Sequence, residues 1–199
     1  MKNSWEKAEI VLKHNGLPRH KAGVIILPTD TIYGIVGDAF SKKAILRMYK
    51  IKGRNTKKPF IVLISDLNDL KKFKIDHLPI RTNKRIENLL TKKISILLSC
   101  PSKKFSYLHR GTKKIAFRLI TKNNKNLFNL IKKVGPIATT STNPEGLKPA
   151  ETITEAKKYF GSKIDLYVSG GRKKGTPSTL IEYKNNRIVV LRQGQTIIK

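Results

Sequence analysis

Apolar positions along this chain recur in two periods, one near 3.6 residues and one near 2, and the switch between them marks where elements begin and end. Trp5, Ala8, Val11 and Leu12 share one face of a helix expected over residues 5–15, and Gly16 and Pro18 stop it. Gly23-Val24-Ile25-Ile26-Leu27 is an unbroken apolar run of strand length, the pattern of a strand buried on both faces. Ser41 has the position of an N-cap for a helix that carries Ala44, Ile45, Met48 and Tyr49. Residues 60–64 form a second buried-strand run, 67–73 and 80–90 carry helical spacing, and 94–98 reads as a strand. Ile115, Phe117 and Leu119 alternate with Ala116 and Arg118, which predicts a half-buried strand. Leu127, Leu130, Ile131 and Val134 make a helical stripe that Gly135-Pro136 ends, and residues 137–140 follow as a strand. Thr152 and Glu155 are spaced as a capping box ahead of a helix over 156–160. Strands over 164–168, 178–183 and 187–191 finish the pattern, the last two flanking a turn at Lys184-Asn185-Asn186. Helices and strands alternate irregularly, so the expected fold is α/β on a mixed sheet.

Composition narrows this picture. With 199 residues, of which 39% are hydrophobic, the chain suits one domain over 1–199 that buries roughly 70% of its unfolded surface. No apolar run approaches the roughly 20 residues that span a bilayer. The first residues, Met1-Lys2-Asn3-Ser4-Trp5-Glu6, lack an apolar leader, and Cys100 has no second cysteine to pair with. The expectation is a cytoplasmic protein without membrane attachment. The formal net charge of +29 has two readings. It is an electrostatic footprint for nucleic acid or polyphosphate, or it is drift toward A/T-rich codons, since Lys, Asn and Ile are all abundant and the lysines are spread along the whole chain.

The residue types exclude several chemistries. His14, His20, His77 and His109 lack Cys or acidic partners at ligand spacing, so no metal centre is expected. No Walker A, G-x-S-x-G or G-x-G-x-x-G string is present. Gly170-Gly171, ahead of Arg172-Lys173-Lys174-Gly175, reads as a basic turn rather than a phosphate loop, because no helix signal follows it. Four segments instead place polar residues beside strand-like runs. Pro28-Thr29-Asp30-Thr31-Ile32-Tyr33-Gly34 leaves the first buried strand, and Tyr33 there suits a ligand wall or the core equally. Lys52-Gly53-Arg54 sets two cations on a turn, a point charge and a planar fork that suit phosphates. Thr139-Thr140-Ser141-Thr142-Asn143-Pro144-Glu145-Gly146 is a hydroxyl-rich exit from a strand, and Pro177-Ser178-Thr179 puts hydroxyls at the start of another.

Taken in order, these segments resemble the YrdC/TsaC family, the threonylcarbamoyl-AMP synthases. The Pro-Thr-acid-Thr-x-Tyr-Gly string at 28–34 comes first, and Lys52-Gly53-Arg54, with Pro59 and an apolar strand behind it, comes second. Arg118 at the end of its strand is third, Ser141 to Gly146 fourth, Ser178-Thr179 fifth and Arg192-Gln193-Gly194 last. Each string is weak alone; the ordered set is specific and spans nearly the whole chain. The resemblance implies the short, single-domain TsaC type, an open twisted mixed sheet with flanking helices and a concave, electropositive surface. Three departures stand out: Glu145 brings a carboxylate near the expected nucleotide site, Leu90-Thr91-Lys92-Lys93-Ile94-Ser95 replaces a Trp-Pro-Gly-Pro string, and Lys114 stands where many members carry Thr.

The activity so implied is adenylyl transfer: threonine, bicarbonate and ATP give threonylcarbamoyl-AMP and pyrophosphate, for modification of tRNA next to the anticodon. By the same resemblance, Thr31, Arg118 and Ser178 are expected to hold threonine, and Lys52 and Arg54 to act on the phosphates as catalytic and ATP-binding residues. Thr139, Ser141, Asn143 and Arg192 are expected to complete the ATP pocket. ATP is then a substrate, Mg²⁺ is expected with it, and the partners are the family's downstream threonylcarbamoyl-transferase complex and tRNA. Two other classes fit parts of the sequence. A non-enzymatic double-stranded RNA- or tRNA-binding protein accounts for the charge but has no need of Arg118, Ser141 and Ser178 in this order. A carbamoyl-transfer module of the hydrogenase-maturation type normally sits in a much longer chain.

Overall fold

In the computed structural model, which describes residues 2–13, 22–55, 58–76, 80, 83–184 and 187–198, local capping signals set most of the helices. Helix α1 (Ser4–Leu12) is opened by Asn3, whose side chain accepts from the N–H groups of Trp5 and Glu6 while Glu6 reaches back to the Asn3 N–H. After β1 (Val24–Pro28) and β2 (Tyr33–Asp38), Ser41 Oγ accepts from the Ala44 N–H at 3.2 Å and starts α2 (Lys42–Lys52). Gly53, at φ 62°, ends that helix in the left-handed conformation that glycine adopts without strain. Strand β3 (Ile61–Ile64) is followed by a 3₁₀ segment over Leu67–Phe73 that Asp66 caps. Then come α3 (Lys84–Leu90), β4 (Ile94–Ser99), the short α4 (Ser106–His109), β5 (Lys114–Leu119), α5 (Lys125–Val134), β6 (Ile137–Ser141), α6 (Ile153–Phe160), β7 (Leu166–Tyr167), β8 (Thr179–Lys184) and β9 (Arg187–Arg192).

The strands join one mixed sheet in the order β7-β1-β2-β6-β3-β5-β4-β8-β9. Three of its ladders are parallel, β1 with β7, β3 with β5 and β4 with β8; the others are antiparallel. Period-2 alternation sends side chains to opposite faces. One face, carrying Ile26, Tyr33, Ile35, Val62, Ile96, Phe117 and Ile181, packs against the apolar side of α2 and the 67–73 segment. On the other face, Ile25, Leu27, Val36, Leu63 and Ile137 meet α1 through Ala8 and Leu12, and α5 through Leu127, Leu130 and Ile131. Each such buried aliphatic side chain contributes about 1.5–3 kcal/mol relative to exposure.

An ion pair with a buried carboxylate and a half-buried guanidinium ties the β1–β7 ladder to α2. Arg47 pairs with Asp165 and also donates to the Ala22 carbonyl at 2.7 Å and the Lys163 carbonyl at 2.8 Å. Asp165 accepts in turn from the Val24 N–H at 2.9 Å. Among the described residues no helix is long and apolar enough to cross a membrane.

Several elements differ from their sequence expectation. Strand β2 was not expected. Its two glycines dilute the strand pattern, and Gly34 is needed because a Cβ there would come within 2.6 Å of Thr139 Oγ1. The segment over 164–168 pairs only through Leu166 and Tyr167. Thr152 does cap α6, but Glu155 turns its carboxylate to the N–H of Glu151 instead of closing the box on Thr152. The strand around 115–119 is buried rather than half-buried at Ile115, Ala116, Phe117 and Arg118. His14, His20, His77, the Gly16 and Pro18 stop and the Asn185-Asn186 turn lie outside the described residues.

Candidate active site

The second face of the sheet is not evenly covered. Beyond the reach of α1 and α5 it forms the floor of a cleft of about 490 Å³. The floor is a patch of same-parity positions on several adjacent rows, read across the ladders: Gly34, Ser141 and Thr139, Ile61 and Leu63, Ala116 and Arg118, Leu97, Leu180 and Arg192. Small and hydroxyl side chains at Gly34, Ala116, Thr139 and Ser141 leave the hollow; longer ones at these positions would fill it.

Arg192 joins this patch through a β-bulge. Ile181 faces Val190 and Leu180 faces Arg192, so Leu191 is an extra residue in the β8–β9 ladder. Without that extra residue being accommodated, Arg192 would fall opposite Thr179 and point to the other face. Arg192 Nη2 donates to the Ser178 carbonyl at 2.8 Å, and Ser178 Oγ lies 2.8 Å from Ser95 Oγ.

Arg118 is the most enclosed cation of the cleft, at 4% exposure. Its Nη1 donates to Thr31 Oγ1 at 3.2 Å, and Nη2 pairs with Asp30 Oδ2. Thr31 is itself held by Thr29, whose Oγ1 sits 3.2 Å away and donates onward to the Ile32 carbonyl at 2.6 Å. Arg118 Nε has no hydrogen-bond partner, and neither has Asp30 Oδ1 or Thr139 Oγ1, although all three atoms are buried. Buried polar atoms are nearly always paired, so Arg118 Nε and Thr139 Oγ1, both on residues that line the cleft, stand open to a hydrogen-bonding ligand.

Arg54 follows the Gly53 turn and is held by the carbonyls of Lys58 and Pro59, with its guanidinium 5.6 Å from the Phe60 ring centre. Burial works against the charge of Arg54, Arg118 and Arg192 alike. At Arg192 the fields of Arg118 and Arg54 add to that effect, whereas at Arg118 the Asp30 carboxylate opposes it. Lys58 and Lys114 add two more cations to the wall, and among the described residues that line the cleft none carries a carboxylate. Among the described residues no group of three His, Cys, Asp or Glu is arranged to hold a metal ion.

Of the residues expected from sequence, Thr31, Arg54, Arg118, Thr139, Ser141, Ser178 and Arg192 line this one cleft. Lys52 and Asn143 do not. Lys52 is 2% exposed, and its Nζ donates to Ser141 O at 2.6 Å, Ser141 Oγ at 3.2 Å, Asn143 O at 2.8 Å and Asn143 Oδ1 at 3.0 Å. Asn143 spends its amide on the carbonyls of Pro144 and Leu147. Both residues therefore hold the segment that carries Ser141 instead of facing the cleft. Burial pulls the Lys52 ammonium down to about 7, with Arg54 adding to the shift and Glu145 opposing it.

Glu145 is not among the described residues that line the cleft; Lys58, which is, pairs with its carboxylate, and Lys58 and the Asn55 N–H at 2.6 Å hold its carboxyl below the usual range. Lys114 pairs with Glu182. Tyr33 is a core residue whose hydroxyl donates to the Gly171 carbonyl at 2.7 Å and accepts from the Gly170 N–H at 2.9 Å. Sequence reasoning passed over Thr29, Asp30 and Ser95. A signal for Ser95 existed: a lone hydroxyl inside the apolar run 94–98 must find a partner once buried, and Ser178 is that partner.

The Sua5/YciO/YrdC family model, described as telomere recombination, matches residues 19–194. A threonylcarbamoyl-AMP synthase of Cellvibrio japonicus is 26% identical over 171 residues, covering 85% of this chain and 89% of its own. A threonylcarbamoyl-AMP synthase of Idiomarina loihiensis is 25% identical over 194 residues, covering 94% and 97%. Among solved structures, P. abyssi Sua5 complexed with L-threonine superimposes with a TM-score of 0.82 at 22% identity. It covers 96% of this chain, which spans 54% of the Sua5 chain.

Proposed function

Since this chain belongs to the Sua5/YciO/YrdC family, we propose that it is a threonylcarbamoyl-AMP synthase, an adenylyltransferase that joins threonine, bicarbonate and ATP. The observation that carries this reading is the cleft itself, where three guanidiniums and a set of hydroxyls converge on one hollow, and the Asp30 carboxylate that pairs with Arg118 is not among its described lining. Such a lining suits an amino-acid carboxylate and a triphosphate together, and it suits chemistry that needs positioning and charge neutralisation more than proton transfer. The reading favours the enzyme over an RNA-binding protein, which has no use for unpaired polar atoms inside a hollow.

The threonine amine takes up bicarbonate, with loss of water, to give an N-carboxylate. One oxygen of that carboxylate attacks the α-phosphorus of ATP, and the bond to pyrophosphate breaks. Arg118 binds the threonine carboxylate through its unpaired Nε, while Thr31 and Ser178 accept or donate to the rest of the amino acid. Arg54 and Arg192 neutralise the phosphates, and their charge is worth more in a half-buried cleft than in water. Thr139 and Ser141 line the nucleotide side. Lys52 and Asn143 act through Ser141, as positioning residues. A Mg²⁺ ion would arrive on the phosphates, because the described lining of the cleft offers it no carboxylate ligand. The adenylate would pass to the family's threonylcarbamoyl-transferase complex and so to tRNA; any direct tRNA contact would ignore sequence and weaken steeply with salt.

The test is pyrophosphate release with ATP, bicarbonate and threonine, each omitted in turn. Release that needs all three supports the proposal. Release without threonine, or none with the complete mixture, refutes it.

A further inference from the structure

We propose that Asp30 is a built-in competitor for Arg118, one that decides which anions the cleft accepts. The inference rests on the reading of Arg118 as the grip for the amino acid's carboxylate. A bare guanidinium in a half-dry hollow, with two more beside it, would take any small carboxylate or inorganic anion that diffuses in. Here it is not bare. Asp30 Oδ2 sits on Nη2, so an incoming anion meets a cation already neutralised. The pair is only half made, since Oδ1 of Asp30 and Nε of Arg118 are both buried without partners. A contact left incomplete on both sides gives way more readily than a closed bidentate fork.

Asp30 also has somewhere to go. It stands between the cleft, lined by its neighbours Thr29 and Thr31, and a second hollow of about 640 Å³ that Asp30 itself lines. That hollow carries Lys92, Lys93, Lys125 and Lys173, and Asp30 is the one carboxylate among the described residues of its wall. The carboxylate thus has cations on both sides, Arg118 on one and four lysines on the other. An anion that brings further anchoring contacts, as an amino acid does, displaces Asp30 toward the lysines. A simple monoanion has only its charge to offer and does not.

The experiment uses the whole chain and sodium acetate as the probe. Calorimetry should show Asp30→Asn binding acetate about tenfold tighter than wild type, the worth of one uncontested charge-assisted hydrogen bond. In pyrophosphate release, the same variant should show a lower KM for threonine, unchanged KM for ATP, and competitive inhibition by acetate that wild type lacks. Lys93→Gln combined with Lys173→Gln should raise the threonine KM about threefold in the wild-type background and leave it unchanged when Asp30 is already Asn. Equal acetate affinity in wild type and Asp30→Asn overturns the proposal, as does a raised threonine KM with no new acetate sensitivity, the mark of a residue that merely orients Arg118. Should Asp30→Asn fail to fold, an unaltered threonine KM in the lysine double variant overturns it alone. Absence of pyrophosphate release by wild type would count against the proposed activity, while the acetate titration still decides the role of Asp30.

Discussion

Replacing Lys52 with methionine removes the ammonium while keeping a side chain of similar length, and it sets two opposed effects against each other. The variant takes a donor from four oxygens; the Ser141 carbonyl keeps the Asn143 N–H at 3.1 Å, whereas the Asn143 carbonyl cannot turn away without moving the backbone. The loss from that stranded buried acceptor is about 1–3 kcal/mol. Against it stands the cost of burying the ammonium, drawn from 10.5 to about 7, which at about 1.36 kcal/mol per pH unit comes to about 5 kcal/mol below pH 7. The two oppose each other, so the slope with pH is the decisive quantity. The folded protein gives up the Lys52 proton before the unfolded chain does. Between about 7 and 10.5 the unfolded state therefore binds more protons, and the contribution of Lys52 to stability rises with pH. Urea unfolding of both proteins at pH 6, 7, 8 and 9 should show wild type gaining on Lys52→Met by about 1 kcal/mol per unit above pH 7, and by nothing below it. A difference that stays flat to pH 9 would mean that the four oxygens keep the ammonium charged throughout, and the burial reasoning would be wrong.

Arg118→Lys keeps a charge for Asp30 but loses the planar fork, so the threonine KM should rise about tenfold to a hundredfold while the ATP KM holds, in steady-state kinetics with each substrate varied separately. Asp165→Asn breaks the pair between this buried carboxylate and Arg47 and should lower stability by about 3 kcal/mol in urea melts while leaving both KM values alone, because it lies away from the cleft. Deleting Leu191 removes the bulge residue and leaves Arg192 opposite Leu180, so pyrophosphate release should stay within about threefold of wild type; its loss would refute the register described for the β8–β9 ladder.

The parts of the fold legible in sequence are those decided locally. Ser41 declares a helix start, the run at 23–27 declares a buried strand, and the alternation at 115–119 declares β5, because capping and periodicity are properties of neighbours. What was illegible depends on distant partners. Strand β2 hides behind Gly34, whose bare Cα is dictated by Thr139, over a hundred positions away. The site residues were found as short strings in a familiar order, yet the strings could not tell a side chain that faces the hollow from one that holds its rim. Lys52 and Arg54 sit on one turn, and the helix end at Gly53 sends them to different surroundings, the first to Ser141 and Asn143 and the second to the cleft wall. Asp30 was read as part of a string and given no role, since only the structure sets it against Arg118.

The order of strands in the sheet also has a kinetic consequence. Ile25 lies beside Leu166, Ile35 beside Thr140 and Ile94 beside Thr179, so three ladders close only when segments far apart in the chain meet. Loop closure of that kind must precede the contacts that reward it, which puts such topologies among the slower folders. In this chain the pairing strands are nearly uncharged, but the sequence around them carries a net excess of 29 positive charges. Their mutual repulsion opposes the encounter in the expanded chain and is screened by salt, over about 10 Å at 0.1 M. Refolding from urea should therefore quicken as ionic strength rises, even though the folded cleft, whose cations work best unscreened, then holds its anionic ligands less firmly.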